Sequence, residues 1–309
     1  MADKHGSGTA ALPRPGDMHR KRTRIAYLSL LPVLLILLLV KAYPILATIY
    51  RSFTNWDGLY KNDFVGFANY REFFGSGLFM TLFKNNLVLL LSVPLQVIIG
   101  LIVAVLLYEQ VPGWRAFRAI YYIPQIISLV ILGYLFRSMF SLDGPVNKVL
   151  EAIGLGASAR EWMGDGSTAL PIMVGCITWY SIGWQTIVIL GGMSSIDPSV
   201  FEAAKLDGAS FFQRTFKIVL PMITSVITYC VVMAVVWTFT SLFSLIYSMT
   251  GGGPGYETMT LDYMIYEKSF VTGSQLGMAC AISVVLFIIV MIITAAEMKL
   301  SDLAEKKWG

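Results

Sequence analysis

Two stretches of this 309-residue sequence set polar groups inside otherwise apolar runs. Thr178-Trp179-Tyr180-Ser181 is followed by Trp184-Gln185-Thr186, and further on stands Trp237-Thr238-Phe239-Thr240-Ser241. On a helix, positions 177, 181 and 184 share one face, and so do 237, 238 and 241. An aromatic ring beside hydroxyl or amide groups suits a sugar, whose C–H face stacks on the ring while its hydroxyls need hydrogen bonds. Packing between helices accounts for the same residues equally well, because Ser and Thr bond readily to backbone carbonyls in apolar surroundings.

Other chemistry is thinly supplied. The two histidines, His5 and His19, sit near the N-terminus, and Cys176, Cys230 and Cys280 each lie inside an apolar run. Their spacing matches neither a metal pair nor a disulfide framework, so they read as small buried hydrophobes. No G-x-x-x-x-G-K-[ST] phosphate loop occurs, and Gly251-Gly252-Gly253 ahead of Pro254 reads as a turn. The charges nearest the apolar interiors, Lys41 and Arg137, are close enough to the ends of their runs to snorkel. A proton-coupled carrier needs intramembrane acids, and none is expected here. No nucleophile–base pair or carboxylate pair stands in these runs, so the chain is expected to bind neither metal nor cofactor and to catalyse nothing.

The segment from Ser195 to Gly208 has a different character. Asp197 can cap a helix with Pro198 at its first position, and Gly208 can end it. Ser210 can cap a second helix running through Phe211, Phe212, Gln213, Arg214 and Phe216 to Leu220, before Pro221. Val200, Phe201, Ala204 and Leu206 then form the apolar teeth of a compact knob in water, a surface that expects a partner with a groove. The competing arrangement, a helix flat on the lipid surface, favours a more basic polar face than this one.

These pieces are carried by a chain with 56% hydrophobic and 14% charged residues and a mean hydropathy of +0.68. That apolar excess requires a solvent other than water, and the net charge of +4 follows membrane topology rather than nucleic acid. Residues 1–24 read as a disordered basic tail. Six apolar stretches follow, near 25–50, 86–108, 120–140, 169–193, 221–247 and 276–296, each about the twenty residues that cross a bilayer. The first runs past the length of a signal-peptide core and has no clear cleavage site, so it reads as a retained span. With the N-terminus inside, fourteen Lys and Arg fall in inner segments and seven in outer ones, which puts both termini in the cytoplasm. The outer connections are rich in aromatic and acidic residues, such as Trp56, Asp57 and Tyr60, then Glu161, Trp162 and Asp165. The expected fold is all-α: a permease domain over 25–298 containing the cytoplasmic loop 194–221, and a short tail over 299–309.

Glu202-Ala203-Ala204, three residues, Gly208, nine residues, then Ile218-Val219-Leu220-Pro221 resembles the EAA loop of bacterial ABC importer permeases. The resemblance implies a type I importer permease in the bacterial cytoplasmic membrane. Its Glu202, Ala203, Ala204, Asp207 and Gly208 would couple it to a separate, dimeric ATPase that holds the ATP and magnesium. Met249-Thr250-Gly251-Gly252-Gly253-Pro254, with Thr260, Tyr263, Tyr266 and Phe270, is similar to the carbohydrate-type permeases, above all the maltose-type first subunit. Gly66-Phe67-Ala68-Asn69-Tyr70, Arg115-Ala116-Phe117-Arg118 and Pro124 add to the likeness, which covers most of 25–298. It implies a second permease subunit, expected as a heterodimer, an extracytoplasmic solute-binding protein and a sugar or oligosaccharide substrate. The sugar pocket would fall on Tyr180, Ser181, Trp184, Ala234, Trp237, Thr238 and Ser241. Asparagines of the family pattern are replaced by Ile177, Thr238 and Ser241, which implies a different ligand. The alternatives are import of glycerol phosphate or another polar solute, or an ATP-independent carrier.

Overall fold

The computed structural model describes residues 15–109 and 113–308, leaving aside the side chains of 15–25, 115–119 and 302–308. Residues 1–14 of the expected tail, Gly309 and the side chains of the Arg115–Arg118 motif thus lie outside the described residues. The chain divides into residues 1–50 and 51–309.

In the first unit, α1 (Pro15–Leu37) and α2 (Tyr43–Arg51) are joined by a π turn over Leu38–Ala42. Residues 15–24 are helical rather than part of a disordered tail. The π turn answers Pro44, which has no N–H to donate and whose ring would strike the carbonyl one turn back. The Tyr43 N–H reaches five residues back to the Leu38 carbonyl, which opens the turn there. From Ala26 to Arg51 the hydropathy averages 2.4 over the most apolar window, and no side chain in that window is buried within the protein. A helix apolar on every side has lipid as its solvent.

The second unit begins with α3 (Ala68–Gly75), α4 (Leu78–Leu89), α5 (Ser92–Tyr108), α6 (Trp114–Ile126), α7 (Leu129–Met139) and α8 (Pro145–Ala152). It continues with α9 (Gly166–Ser194), α10 (Pro198–Leu206), α11 (Phe211–Arg214), α12 (Leu220–Met222) and α13 (Thr224–Thr240). The last elements are α14 (Phe243–Met249), α15 (Leu261–Tyr266) and α16 (Leu276–Trp308). No strand occurs among the described residues; Thr54 and Phe64 form one isolated bridge.

Among the described residues, the spans number six when each of two bent helix pairs is taken as one, so not all are straight rods. With Ala26–Arg51, the segments Leu78–Tyr108, Gly166–Ser194 and Leu276–Ser301 are long and apolar enough to cross a membrane unaided. The third span is a pair bent by 111° between Ile126 and Leu129, and the fifth a pair bent by 73° between Met222 and Thr224. Ile127 takes an extended conformation just after Pro124, which withholds a donor from the last turn of α6. Before Pro221 a π turn over Thr215–Val219 repeats the device seen ahead of Pro44. The fifth span also stops short of Tyr247. Its helix α13 ends at Thr240, and the Asp262 carboxylate accepts the Phe243 N–H at 2.8 Å to start α14. The last span runs on past Ala296, so Glu297 falls inside an apolar segment where no acid was expected.

Asparagines, buried or half-buried, anchor the outer loops to the helices. Asn69 Nδ2 donates to the carbonyls of Ser52 and Thr54, and the Tyr70 hydroxyl meets the Ser52 hydroxyl at 2.7 Å. Asn85 donates to Tyr256 and Met259, while Asn86 accepts from the Leu261 N–H. In the second outer loop, Asn147 donates to the Leu142 and Arg160 carbonyls and accepts from the Trp162 indole. Each such clamp satisfies loop backbone that would otherwise be buried unpaired.

α5 packs along α9. Gly100 permits it, because a Cβ there would lie 2.7 Å from Gln185 Cβ and 3.3 Å from the Thr186 backbone nitrogen. Such small-residue approaches bring membrane helices to close packing distance. Here the approach also sets Gln96, one turn along α5, opposite Gln185 of α9.

Candidate functional site

A cavity of about 230 Å³ opens between α5, α6, α9 and α13. From α9 come Tyr180, Ser181, Trp184 and Gln185; from α13, Met233, Ala234 and Trp237; α5 contributes Gln96 and α6 contributes Gln125. The rings of Tyr180 and Trp237 stack on each other in its wall, with centroids 5.9 Å apart and planes 15° from parallel. Trp184 leans on Tyr229 at 6.1 Å. Gln185 Nε2 donates to Gln96 Oε1 at 3.4 Å, and both glutamines are about 1% exposed. An apolar-walled cavity with a few convergent polar groups is the usual form of a small-molecule site. A larger cleft of about 600 Å³ lies between α12, α13 and α16, but its lining is apolar apart from Thr224, Thr228, Glu297 and Ser301. It lacks the combination of ring and amide found in the smaller cavity.

The structure thus gathers Tyr180, Ser181, Trp184, Ala234 and Trp237, and leaves Thr238 and Ser241 out. Thr238 is fully buried, turned off the cavity face, and its hydroxyl donates to the Ala234 carbonyl at 2.8 Å. In an apolar helix that carbonyl one turn back is the nearest acceptor for a threonine. Ser241 follows the end of α13, so helical spacing from Trp237 no longer places it, and its hydroxyl meets that of Thr240. Ile177 is sealed in the core. Gln96 and Gln125 had not been singled out, although a lone glutamine inside Ser92–Tyr108 and another inside Trp114–Ile126 were a visible signal.

Beyond the C-terminal end of α9, the loop folds much as its residue types dictate. The Asp197 carboxylate accepts the Ser199 N–H at 2.9 Å at the start of α10, and that backbone hydrogen bond holds its carboxyl below the usual range. Gly208 has φ +73°, the left-handed conformation that glycine adopts without penalty. Ser210 and Gln213 form a reciprocal capping box on α11.

The apolar teeth divide. Phe201 and Ala204 turn inward and are buried, with the Phe201 ring 4.9 Å from that of Tyr108 at the end of α5. Val200 is half-buried, and Leu206 alone of the four points out, 89% exposed. Helical spacing identifies an apolar face, but which side of α10 meets water depends on the end of α5, where Tyr108 takes the Phe201 ring. Glu202, Ala203, Asp207 and Gly208 are exposed beside Leu206, with Phe212 and Phe216 exposed further along.

Residues 68–301 match the family model described as the binding-protein-dependent transport system inner membrane component. The chain belongs to that family. The permease is 34% identical to a probable ABC transporter permease protein, YurN, of Bacillus subtilis over 280 residues, covering 89% of this chain and 95% of that protein. It is 33% identical to the multiple sugar-binding transport system permease protein MsmF of Streptococcus mutans, covering 84% and 89%. A chain of a bacterial alginate ABC transporter, solved with an alginate pentasaccharide-bound periplasmic protein, superposes with a TM-score of 0.80. The two are 25% identical, with 93% of this chain and 96% of that one covered. The permease therefore has the type I importer fold and is a multi-pass membrane protein, the translocating component of a system in which a separate subunit hydrolyses ATP.

Within the permease, the motifs shared with carbohydrate-type permeases have structural work to do. Asn69 and Tyr70 fasten the first outer loop. Thr250 accepts hydrogen bonds from the Thr258 hydroxyl and the Gly252 N–H, closing the turn before Pro254. Phe243, Tyr247, Tyr263, Tyr266 and Phe270 form a continuous ring cluster.

Proposed function

We propose that this permease is one of two similar membrane subunits of an importer that carries a sugar or oligosaccharide inward. A solute-binding protein delivers the ligand at the outer face, and an ATPase dimer drives alternating access from the cytoplasm. Glu202, Ala203, Asp207 and Gly208, exposed around Leu206, face the ATPase cleft, while Phe201 seats the same helix on Tyr108 at the end of α5. Closure of the ATPase dimer is thereby passed to the spans. Tyr180, Ser181, Trp184 and Trp237, joined by Gln96, Gln125 and Gln185, hold the ligand in transit.

The observation that carries this reading is the stacked Tyr180–Trp237 pair beside buried amides in one cavity. Rings offer a sugar its C–H contacts and amides offer its hydroxyls both donors and acceptors. Sugar transport by a relative 33% identical, and the saccharide-linked transporter of the same fold, lend support. The test is affinity purification of the tagged chain from its native membrane, followed by ATP-driven uptake in vesicles. Recovery of a second six-span protein and a P-loop ATPase, with saccharide uptake that needs both, is expected. Saccharide uptake by the chain alone, without ATP, overturns the reading.

A further inference from the structure

The amides at the cavity are not fully satisfied. Gln96 Nε2 and Gln185 Oε1 have no hydrogen-bond partner within the protein, and neither has Gln125 Oε1. Whichever way the Gln96 and Gln185 amides are turned, one bond between them leaves one donor and one acceptor over. A buried polar group without a partner costs about 1–3 kcal/mol, so this arrangement favours a ligand able both to give and to take hydrogen bonds. A sugar hydroxyl does both, whereas a carboxylate or phosphate oxygen only accepts. No charged side chain lines the cavity among the described residues. An anion buried there would lose its hydration without gaining a counter-charge, a heavy penalty in an apolar wall.

We propose that Gln96, Gln125 and Gln185 form the specificity wall of the translocation pathway, and that the permease selects uncharged saccharides over uronates and sugar phosphates. This rests on the carbohydrate reading above. It sets the permease apart in ligand chemistry from the alginate transporter that it resembles in fold, an importer of an acidic polysaccharide. At about 230 Å³ the cavity is smaller than the ~300–1,000 Å³ of an ordinary ligand pocket. The cavity therefore takes a single sugar ring at a time, with Tyr180 and Trp237 to stack on and the three amides to hydrogen-bond.

The test uses the complete importer in cells. These are fed a mixture of neutral oligosaccharides from starch, cellulose and xylan hydrolysates with acidic ones from polygalacturonate and alginate, and sugar phosphates. Mass spectrometry of the cell contents, against a strain lacking this chain, identifies what enters. The decisive variant is the double substitution Gln96→Leu with Gln185→Leu. Replacing both partners of a buried hydrogen bond by apolar groups of similar size is close to neutral for folding, so assembly should persist. Neutral saccharide uptake is expected to fall by about tenfold or more, with the importer complex recovered in the parental amount.

If the double variant keeps uptake within about twofold of the parent, the two glutamines merely hold α5 to α9 and the proposal falls. Should the double variant fail to assemble, Gln125→Leu, outside that pair, decides by the same readout. Chain-dependent entry of uronates or sugar phosphates overturns the neutral class while leaving saccharide import standing, and chain-dependent entry of no saccharide overturns both.

Discussion

The Arg214 guanidinium donates to the Glu109 carboxylate at 3.0 Å, which ties the helix after α10 to the end of α5. Arg214 also donates to the Ala209 carbonyl, and the Phe201–Tyr108 ring contact lies one residue away along α5. These contacts join the loop to α5, the same helix that carries Gln96 into the cavity. Both side chains of the ion pair are mostly buried, 15% and 28% exposed, so the pair is screened less than a surface one. Glu109→Gln and Arg214→Gln should each uncouple ATP hydrolysis from uptake without preventing assembly. The reversed pair Glu109→Arg with Arg214→Glu should restore part of the loss. A double-mutant cycle is expected to give a coupling of roughly 0.5–3 kcal/mol; strict additivity would show that the pair transmits nothing.

Gly208 is set by backbone rather than by space. Its φ is +73°, and a Cβ there would meet nothing within 4 Å. Only the left-handed penalty of roughly 1–2 kcal/mol opposes substitution, and asparagine bears it best. Gly208→Asn is expected to keep most coupled ATPase activity, while the β-branched Gly208→Val loses it. Equal loss in both would mean that bulk at the ATPase face matters and the bend does not.

Gly100 presents the opposite case, all space and no special dihedral. Gly100→Val drives a side chain into Gln185 and the α9 backbone. The destabilisation expected from overpacking is about 1–3 kcal/mol, read as a lower melting temperature of the purified complex and a raised KM for uptake. A melting curve and KM matching the parent would show that α5 and α9 tolerate separation.

Asp197 holds the first turn of α10 through its charge. Its carboxyl is lowered by the Ser199 backbone hydrogen bond, so its contribution is complete above the ordinary carboxylate range and is lost as pH falls through the folded value. Asp197→Asn retains a capping oxygen and should keep coupling, now without that acid dependence. Asp197→Ala should weaken it at every pH. Coupled ATPase activity measured across pH separates the three; identical profiles would exclude a capping role.

Trp237 stacks on Tyr180 at 5.9 Å. Trp237→Phe should preserve a stacking face and a near-parental KM for saccharide uptake, whereas Trp237→Ala should raise KM by about fivefold or more, the range of a lost aromatic contact of ~1 kcal/mol. Parallel loss in both would argue that the indole only fills space.

The chain's class, its six apolar stretches and the capped helices of the loop after α9 were legible in the sequence because each depends on local pattern. A run of about twenty apolar residues has few alternatives to a membrane, and Asp197, Pro198, Gly208 and Ser210 act on backbone within a few residues of themselves. The bends were harder. Pro124 and Pro221 were in plain view, yet the 111° and 73° turns depend on what the freed helices pack against. Thr238 misled because its two possible partners, a ligand and the Ala234 carbonyl, are chemically alike, and the nearer one prevails.

By itself, the sequence determined the solvent, the element types and the helix caps, all set by forces that act over a turn or two of chain. Only the tertiary structure decided which sides of those helices meet. It paired Gln96 with Gln185 across 89 residues, turned Phe201 inward onto Tyr108 and left Leu206 in the open. The physical reason is that a helix in lipid has no hydrophobic preference among its faces. The choice falls to close-packed contacts such as Gly100 against α9, which exist only once both helices are in place.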